Sequence, residues 1–352
     1  MVLAKEFGFA LGFSVVCLVL SALYGFQTGN VSTALQFLLI TVILGVMELS
    51  LSFDNAVVNA SVLKNMTALW QRRFLTWGIL IAVFGMRLVF PIVIVAVVAH
   101  IGLVEVVQLA FGNPEEYARQ LTAAHVPISA FGGSFLMLVF LNYLMDPDKD
   151  VHWLGRLEEG LARIGKLDTI QVVITGILLL LAVQFLVPAE EKLAGLIAGF
   201  VGILVYLAIN ALGGLFDADS LAKNAAQAGL VSFIYLEVLD ASFSLDGVIG
   251  AFAVTKEVVI IAAGLAIGAV FVRSITLMLV HHGTLQQYVF LEHGAHYGIG
   301  ALAIIMLLSL SPTVHIPEVV TGLIGVGFIA AAIYWSVRHN RAQSALGQGR
   351  AN

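Results

Sequence analysis

Five carboxylates stand where carboxylates are costly. Glu48, Asp54, Glu237, Asp240 and Asp246 fall deep inside long apolar runs, and a charge at the bilayer centre costs about 2.5–3.5 kcal/mol on insertion scales. Protonation, or pairing with Arg87 and Arg273 in neighbouring runs, would relieve part of that cost. Two guanidiniums cannot neutralise five carboxylates, so a functional site is the reading that accounts for the rest.

Spacing narrows the chemistry. At about 100° per helical residue, Glu48, Ser52, Asn55 and Asn59 form one stripe, with Asp54 and Ser50 on the next. Glu237, Asp240, Ser244 and Gly247 form a matching stripe further along, flanked by Ser242 and Asp246. Residues six apart diverge by about 120° on an unbroken helix, so Glu48 and Asp54 can share a ligand only where the helix unwinds or the ligand sits off the stripe. Broken helices occur in transporters, and serine-rich turns supply hydroxyls and freed carbonyls. All candidate ligands are oxygens, which suits a hard divalent cation such as Mn²⁺, Ca²⁺ or Mg²⁺. A proton relay, alone or in exchange with a cation, uses the same groups.

The elements that must hold these residues follow from composition. The chain has 352 residues, 60% hydrophobic and 11% charged, with a mean hydropathy of +1.00; soluble domains carry about 25% charged residues. The sequence predicts an all-α polytopic membrane protein of about ten spans: 7–26, 34–63, 74–100, 126–145, 169–187, 192–212, 229–255, 258–281, 294–310 and 319–338. The first run is longer than a usual signal-peptide core and reads as a span. No Lys/Arg run exceeds two, which excludes a basic nucleic-acid surface. The single cysteine, Cys17, excludes an intrachain disulfide.

Charge sorts with this topology. Lys5, Lys64, Arg72, Arg73, Lys149, Arg156, Arg163, Lys166, Lys223, Arg338, Arg341 and Arg350 fall on one side; Arg119, Lys192 and Lys256 fall on the other. The bias predicts cytoplasmic termini in a cell (inner) membrane.

The chain also repeats itself. Glu48-Leu-Ser-Leu-Ser-Phe-Asp54-Asn55-Ala matches Asp240-Ala-Ser-Phe-Ser-Leu-Asp246-Gly247-Val, and Gly78 to Arg87 matches Gly264 to Arg273. His125 and Gly132 then align with His293 and Gly300. With five helices per half, the second half enters the membrane inverted, a plan common among secondary transporters with midplane sites. The expected organisation is a first repeat over 1–188, including a charged cytoplasmic loop at 146–168, an inverted repeat over 189–338, and a cytoplasmic tail at 339–352.

The segment from Glu48 to Asn59, around Leu-Ser-Phe-Asp54-Asn55-Ala-Val, resembles the first signature of the TerC family of integral membrane proteins. Asp240-Ala-Ser-Phe-Ser-Leu-Asp246 is similar to its second, and the resemblance covers both halves. TerC proteins are linked to tellurium-ion resistance and to manganese export within the LysE-like exporters. The resemblance implies cation efflux, with Glu48, Asp54 and Asn55 matching the first motif and Asp240 and Asp246 the second. Gly247 replaces a frequent serine, and Val248-Ile249-Gly250 replaces Ile-Pro-Ala.

The resulting expectation is a transporter and not an enzyme, with no permanent cofactor. Its metal ligands are Glu48, Asp54, Asn55, Asp240, Asp246 and Glu237, supported by Ser52, Ser244, Asn59, Arg87 and Arg273. Its partners are the lipid bilayer, metal ions and protons. Two other classes remain: a non-transporting metal-handling or scaffold protein, and an intramembrane diaspartyl enzyme, for which the Gly-x-Gly-Asp signature is missing. Asp146-Pro-Asp148-Lys-Asp150 lacks the glycine of an EF-hand loop, and Glu158-Glu159 with Arg163 lies in a charged stretch; both read as solvated linker. His281, His282, His293 and His296 cluster near a cytoplasmic helix end, where they could gate or pre-bind a cation, and read first as interfacial packing.

Overall fold

The computed structural model describes residues 2–350 apart from 150, 168, 218–224 and 315. Every described regular element is helical: α1 (Val2–Thr28), α2 (Val31–Leu51), α3 (Phe53–Leu63), α4 (Ala68–Ala99), α5 (Leu103–Gly112), α6 (Pro114–Ala123), α7 (His125–Leu144), α8 (Arg156–Gly165), α9 (Ile170–Leu186), α10 (Lys192–Asp217), α11 (Ala225–Val254), α12 (Val258–His281), α13 (Thr284–Gln287), α14 (Leu291–Leu308) and α15 (Glu318–Arg350). The protein is an all-α polytopic membrane protein. Helices satisfy their own backbone, as hydrocarbon demands.

Among the described residues, eight helices are long and apolar enough to cross a membrane, and nine if the bent pair α8–α9 counts as one span. All ten expected spans fall on helices. Outside the eight are α9, with 17 residues, and α11, the carrier of Glu237, Asp240 and Asp246. The expected tail at 339–352 is helical as far as Arg350, as a continuation of α15.

Helix starts follow local chemistry. The Asn30 side chain accepts from the Ser32 and Thr33 N–H groups at 2.9 and 3.2 Å, capping α2. Asn113 caps α6 through the Glu116 N–H at 3.2 Å, with Pro114 at the first position, where its missing N–H costs nothing.

Two irregularities matter for the site. The apolar run at 34–63 is broken at Ser52 (φ −106°, ψ 15°), between Glu48 and Asp54. Its counterpart, α11, runs through the second motif as one helix. In α4, Phe74–Gly78 and Ile81–Val89 are wound to π pitch. Pro91 removes the N–H that an α-helix would aim at the Arg87 carbonyl, so the tighter register cannot be kept there.

Packing puts the motif segments inside. α7 and α14 are 72% buried over their spans and α12 67%, while α1, α2, α4, α10 and α15 leave one side open to lipid. The largest apolar core joins α3, α7, α9, α10, α11, α12, α14 and α15. Contact between α2 and α12 runs along small residues, where Gly45 faces the Gly264 carbonyl and Gly268 faces the stem of Glu48.

The reading of 146–168 as a solvated linker is corrected at Glu158, which has 0% relative exposure. Lys149 Nζ pairs with it at 2.5 Å, the Tyr297 hydroxyl donates to it at 2.9 Å, and the Leu154 N–H at 3.1 Å. The cause is tertiary: the loop folds back onto α14, and burial of a carboxylate is tolerated because three donors surround it.

Candidate functional site

Arg87 reaches the site from the π-wound part of α4. Its Nη1 donates to the Ala82 carbonyl at 2.7 Å, five residues back, which fixes the guanidinium against its own helix. From there Nη2 pairs with Glu48 on α2, and Nη1 stands 3.6 Å from Asp240 Oδ2 on α11. One cation therefore joins the first acidic motif to the second.

Arg273 enters from α12. Its Nη2 donates to Glu237 Oε1 at 3.2 Å and to Asp240 Oδ2 at 3.4 Å. Its guanidinium lies over the Phe74 ring at 3.9 Å, a favourable face for a cation. Gly78 makes room for this pair, since a β-carbon there would stand 2.8 Å from Glu237 Oε1 and 3.1 Å from Arg273 Nη1.

Asparagine and serine complete the cluster. Asn55 Nδ2 donates to Asp240 Oδ1 at 2.7 Å, and the Ser52 hydroxyl at the helix break donates to Glu48 Oε1 at 3.4 Å. Among the described residues, the Asn55 Oδ1 and, one helical turn on from Asn55 and Asp240, both amide atoms of Asn59 and the Ser244 hydroxyl are buried without a protein hydrogen-bond partner. Such atoms are rare in folded proteins and mark strain or a missing ligand.

The sequence-matched residues meet in matched pairs. Glu48 pairs with Arg87, and Asp240 with Arg273. Asn55 faces Asp240, while its counterpart Gly247 faces Glu48, whose Oε2 would stand 2.8 Å from a β-carbon at 247. Numbering rises on one segment as it falls on the other, so the two motif segments lie antiparallel. Exchanging the halves maps the Glu48–Arg87 pair onto Asp240–Arg273, but Arg87–Asp240 and Arg273–Glu237 have no mates among the described residues.

Asp54 is held apart. The Asn55 N–H donates to its Oδ1 at 3.0 Å, and Oδ2 faces Gly298 on α14 and Gly325 on α15, at 3.0 and 3.3 Å from where their β-carbons would be. Among the described residues no Lys or Arg pairs with it. The side chain of Asp246 lies outside the described residues. Among the described residues, no group of three or more His, Cys, Asp or Glu could hold a metal ion as placed; the clustered carboxylates are occupied by guanidiniums.

The histidines separate into two places. His281 is exposed and faces Glu6 at 3.1 Å, and His282 bonds the Met278 carbonyl. His293 and His296 are buried; His296 stacks on Tyr143 at 3.7 Å, and His293 Nε2 contacts the Val151 carbonyl at 2.8 Å and Glu158 at 3.8 Å. Sequence reasoning missed the Lys149–Glu158–Tyr297 cluster, which has no spacing signal because its members are drawn together across 139 residues. The space provided by Gly78 was readable only as part of the repeat.

Residues 53–343 match the family model described as a protein of unknown function, DUF475. No curated protein and no solved structure matches the chain.

Proposed function

We propose that this chain, which belongs to the DUF475 family, is a membrane transporter of divalent cations, Mn²⁺ first, with the carboxylate–arginine cluster as its cargo site. One observation carries the reading: buried carboxylates of both acidic motifs meet at a single place, bridged by Arg87. Buried ion pairs are weak evidence for stability, because desolvation offsets their attraction. Three carboxylates facing two guanidiniums inside a membrane protein are better explained by a cargo that replaces the guanidiniums.

The donors suit a hard dication. Glu48, Asp240 and Glu237 supply carboxylate oxygens, and Asn55, Asn59 and Ser244 supply neutral ones that have no protein partner. Loading would exchange arginine for metal, and unloading would return the two arginines, which leaves one of the three carboxylates uncompensated. Asp54, two residues beyond the Ser52 break in the first turn of α3, and Asp246 would serve the ion on its way in or out. Like charges held close cannot all stay ionised, which makes exchange of external protons for the metal natural.

Direction comes from the resemblance to TerC proteins, which favours efflux. The charge sorting supports cytoplasmic termini in the cell (inner) membrane, and the antiparallel meeting of the two matched motif segments supports two inverted repeats working by alternating access. The test is Mn²⁺ flux by the purified protein in sealed vesicles. Flux should disappear in Asp54→Asn and Asp240→Asn with insertion intact, and should slow as pH rises on the proton-donating side. Absent flux of Mn²⁺, Ca²⁺ and Mg²⁺ would replace the transporter with a metal-handling scaffold, and peptide cleavage would favour the enzyme.

A further inference from the structure

A cavity of about 860 Å³ opens between α7, α8, α14 and α15, away from the acidic cluster. That volume falls in the range of small-molecule pockets. Its walls are aromatic and aliphatic, with Phe140, Trp153, Tyr297 and Trp335 as the large faces, and Arg338 and His339 line it at one end. No acidic residue lines it. Arg338 lies near the Trp335 ring, at 5.3 Å, and His339 packs on the edge of Phe290.

The neighbouring elements place this cavity at a membrane boundary. α8 has only 10 residues, exposes Leu157 and Ile164, carries Arg156 and Arg163, and meets α9 at 99°. A short amphipathic helix of that kind lies in the interface plane, with its apolar side at the acyl boundary. Tryptophans prefer the same depth. An apolar cavity at that level with basic residues at one end has the charge pattern of an amphiphile with an anionic head.

We propose that this cavity binds an anionic glycerophospholipid, with an acyl chain among the aromatic walls and the phosphate on Arg338 and His339. The cavity bears on Asp54 through two adjacent residues of α14. Tyr297 lines the cavity and donates to Glu158, and the next residue, Gly298, faces Asp54. Occupancy would hold α14 in place beside Asp54.

The test uses the full chain in neutral detergent, supplemented with phosphatidylglycerol or with phosphatidylcholine of the same chains. Thermal unfolding and native mass spectrometry are the readouts. Phosphatidylglycerol should raise the unfolding temperature of the wild type more than phosphatidylcholine, and should stay bound when neutral lipid is lost. Arg338→Gln should abolish that preference. Ala301→Trp, or Ala331→Trp where the first fails to fold, should fill the cavity and abolish retention of either lipid. Equal effects of the two lipids on the wild type would overturn the proposal. So would a preference that survives Arg338→Gln, or lipid-independent occupation of the face by a second copy.

Discussion

Asn55 Nδ2 donates to Asp240 Oδ1 at 2.7 Å across 185 residues of sequence, and at the matched position of the other half Gly247 leaves Glu48 Oε2 facing bare backbone. The two contacts are mates under exchange of the halves, but only one has a donor. The cluster is therefore asymmetric in chemistry although the two motif segments that carry it are matched in sequence. Asp240 is held by Asn55, Arg87 and Arg273; Glu48 is held by Arg87 and Ser52.

Asn55→Ala should destabilise the protein by about 1–3 kcal/mol, because it leaves one oxygen of a buried carboxylate short of a donor. Gly247→Ala should act differently, forcing Glu48 to shift from a β-carbon 2.8 Å away. Chemical unfolding in detergent measures both. Unchanged stability in Asn55→Ala would show that the contact contributes nothing.

Arg87→Gln removes the bridge between the motifs. Truncating one member of a buried pair costs about 3–5 kcal/mol, since its partner stays buried and uncompensated. Adding Glu48→Gln should recover part of this loss. The expected coupling exceeds about 0.5 kcal/mol in a double-mutant cycle, the level that separates contacting residues from independent ones.

Gly298→Val should crowd Asp54, whose Oδ2 already stands 3.0 Å from the position of a β-carbon there. Cation flux should fall along with unfolding temperature. Asp54→Ala in the same chain should restore the temperature and leave flux absent, which separates the packing role of the glycine from the chemical role of the carboxylate.

Burial alone would raise the Glu158 carboxyl, but Lys149, the Leu154 N–H and the Tyr297 hydroxyl together hold it below its ordinary value. The native state therefore binds fewer protons here than the unfolded chain. Its contribution is complete above the unfolded value of about 4.3 and is lost as pH falls through the lower native one. Unfolding temperature should drop with acidification in that window, and Glu158→Gln should flatten the drop. Lys149→Met should destabilise the protein at neutral pH by stranding the carboxylate.

The helices were legible because the length of an apolar run is a local property that lipid reads directly. The clustering of Glu48, Glu237 and Asp240 was legible for a related reason: a carboxylate in an apolar run is costly wherever the run ends up. Pairing of the arginines with the acids followed from charge, and the break near Ser52 from the angle separating Glu48 and Asp54. The α11 segment, with the same serine spacing, stays helical, so spacing permits a break without requiring one.

Sequence by itself determined an all-α membrane protein, the residues that carry its charge into the membrane, and the matching of its two halves. Tertiary structure alone decided which acid meets which arginine, that Asp54 turns toward Gly298 and Gly325, and that Glu158 is buried under its own loop. Helix rotation is set by how small residues such as Gly45, Gly264 and Gly268 let neighbouring backbones approach. A rotation of one residue, about 100°, separates Asp54 from Asn55 and sends them to different partners. That angle is fixed by packing between helices distant in sequence, where no local pattern can record it.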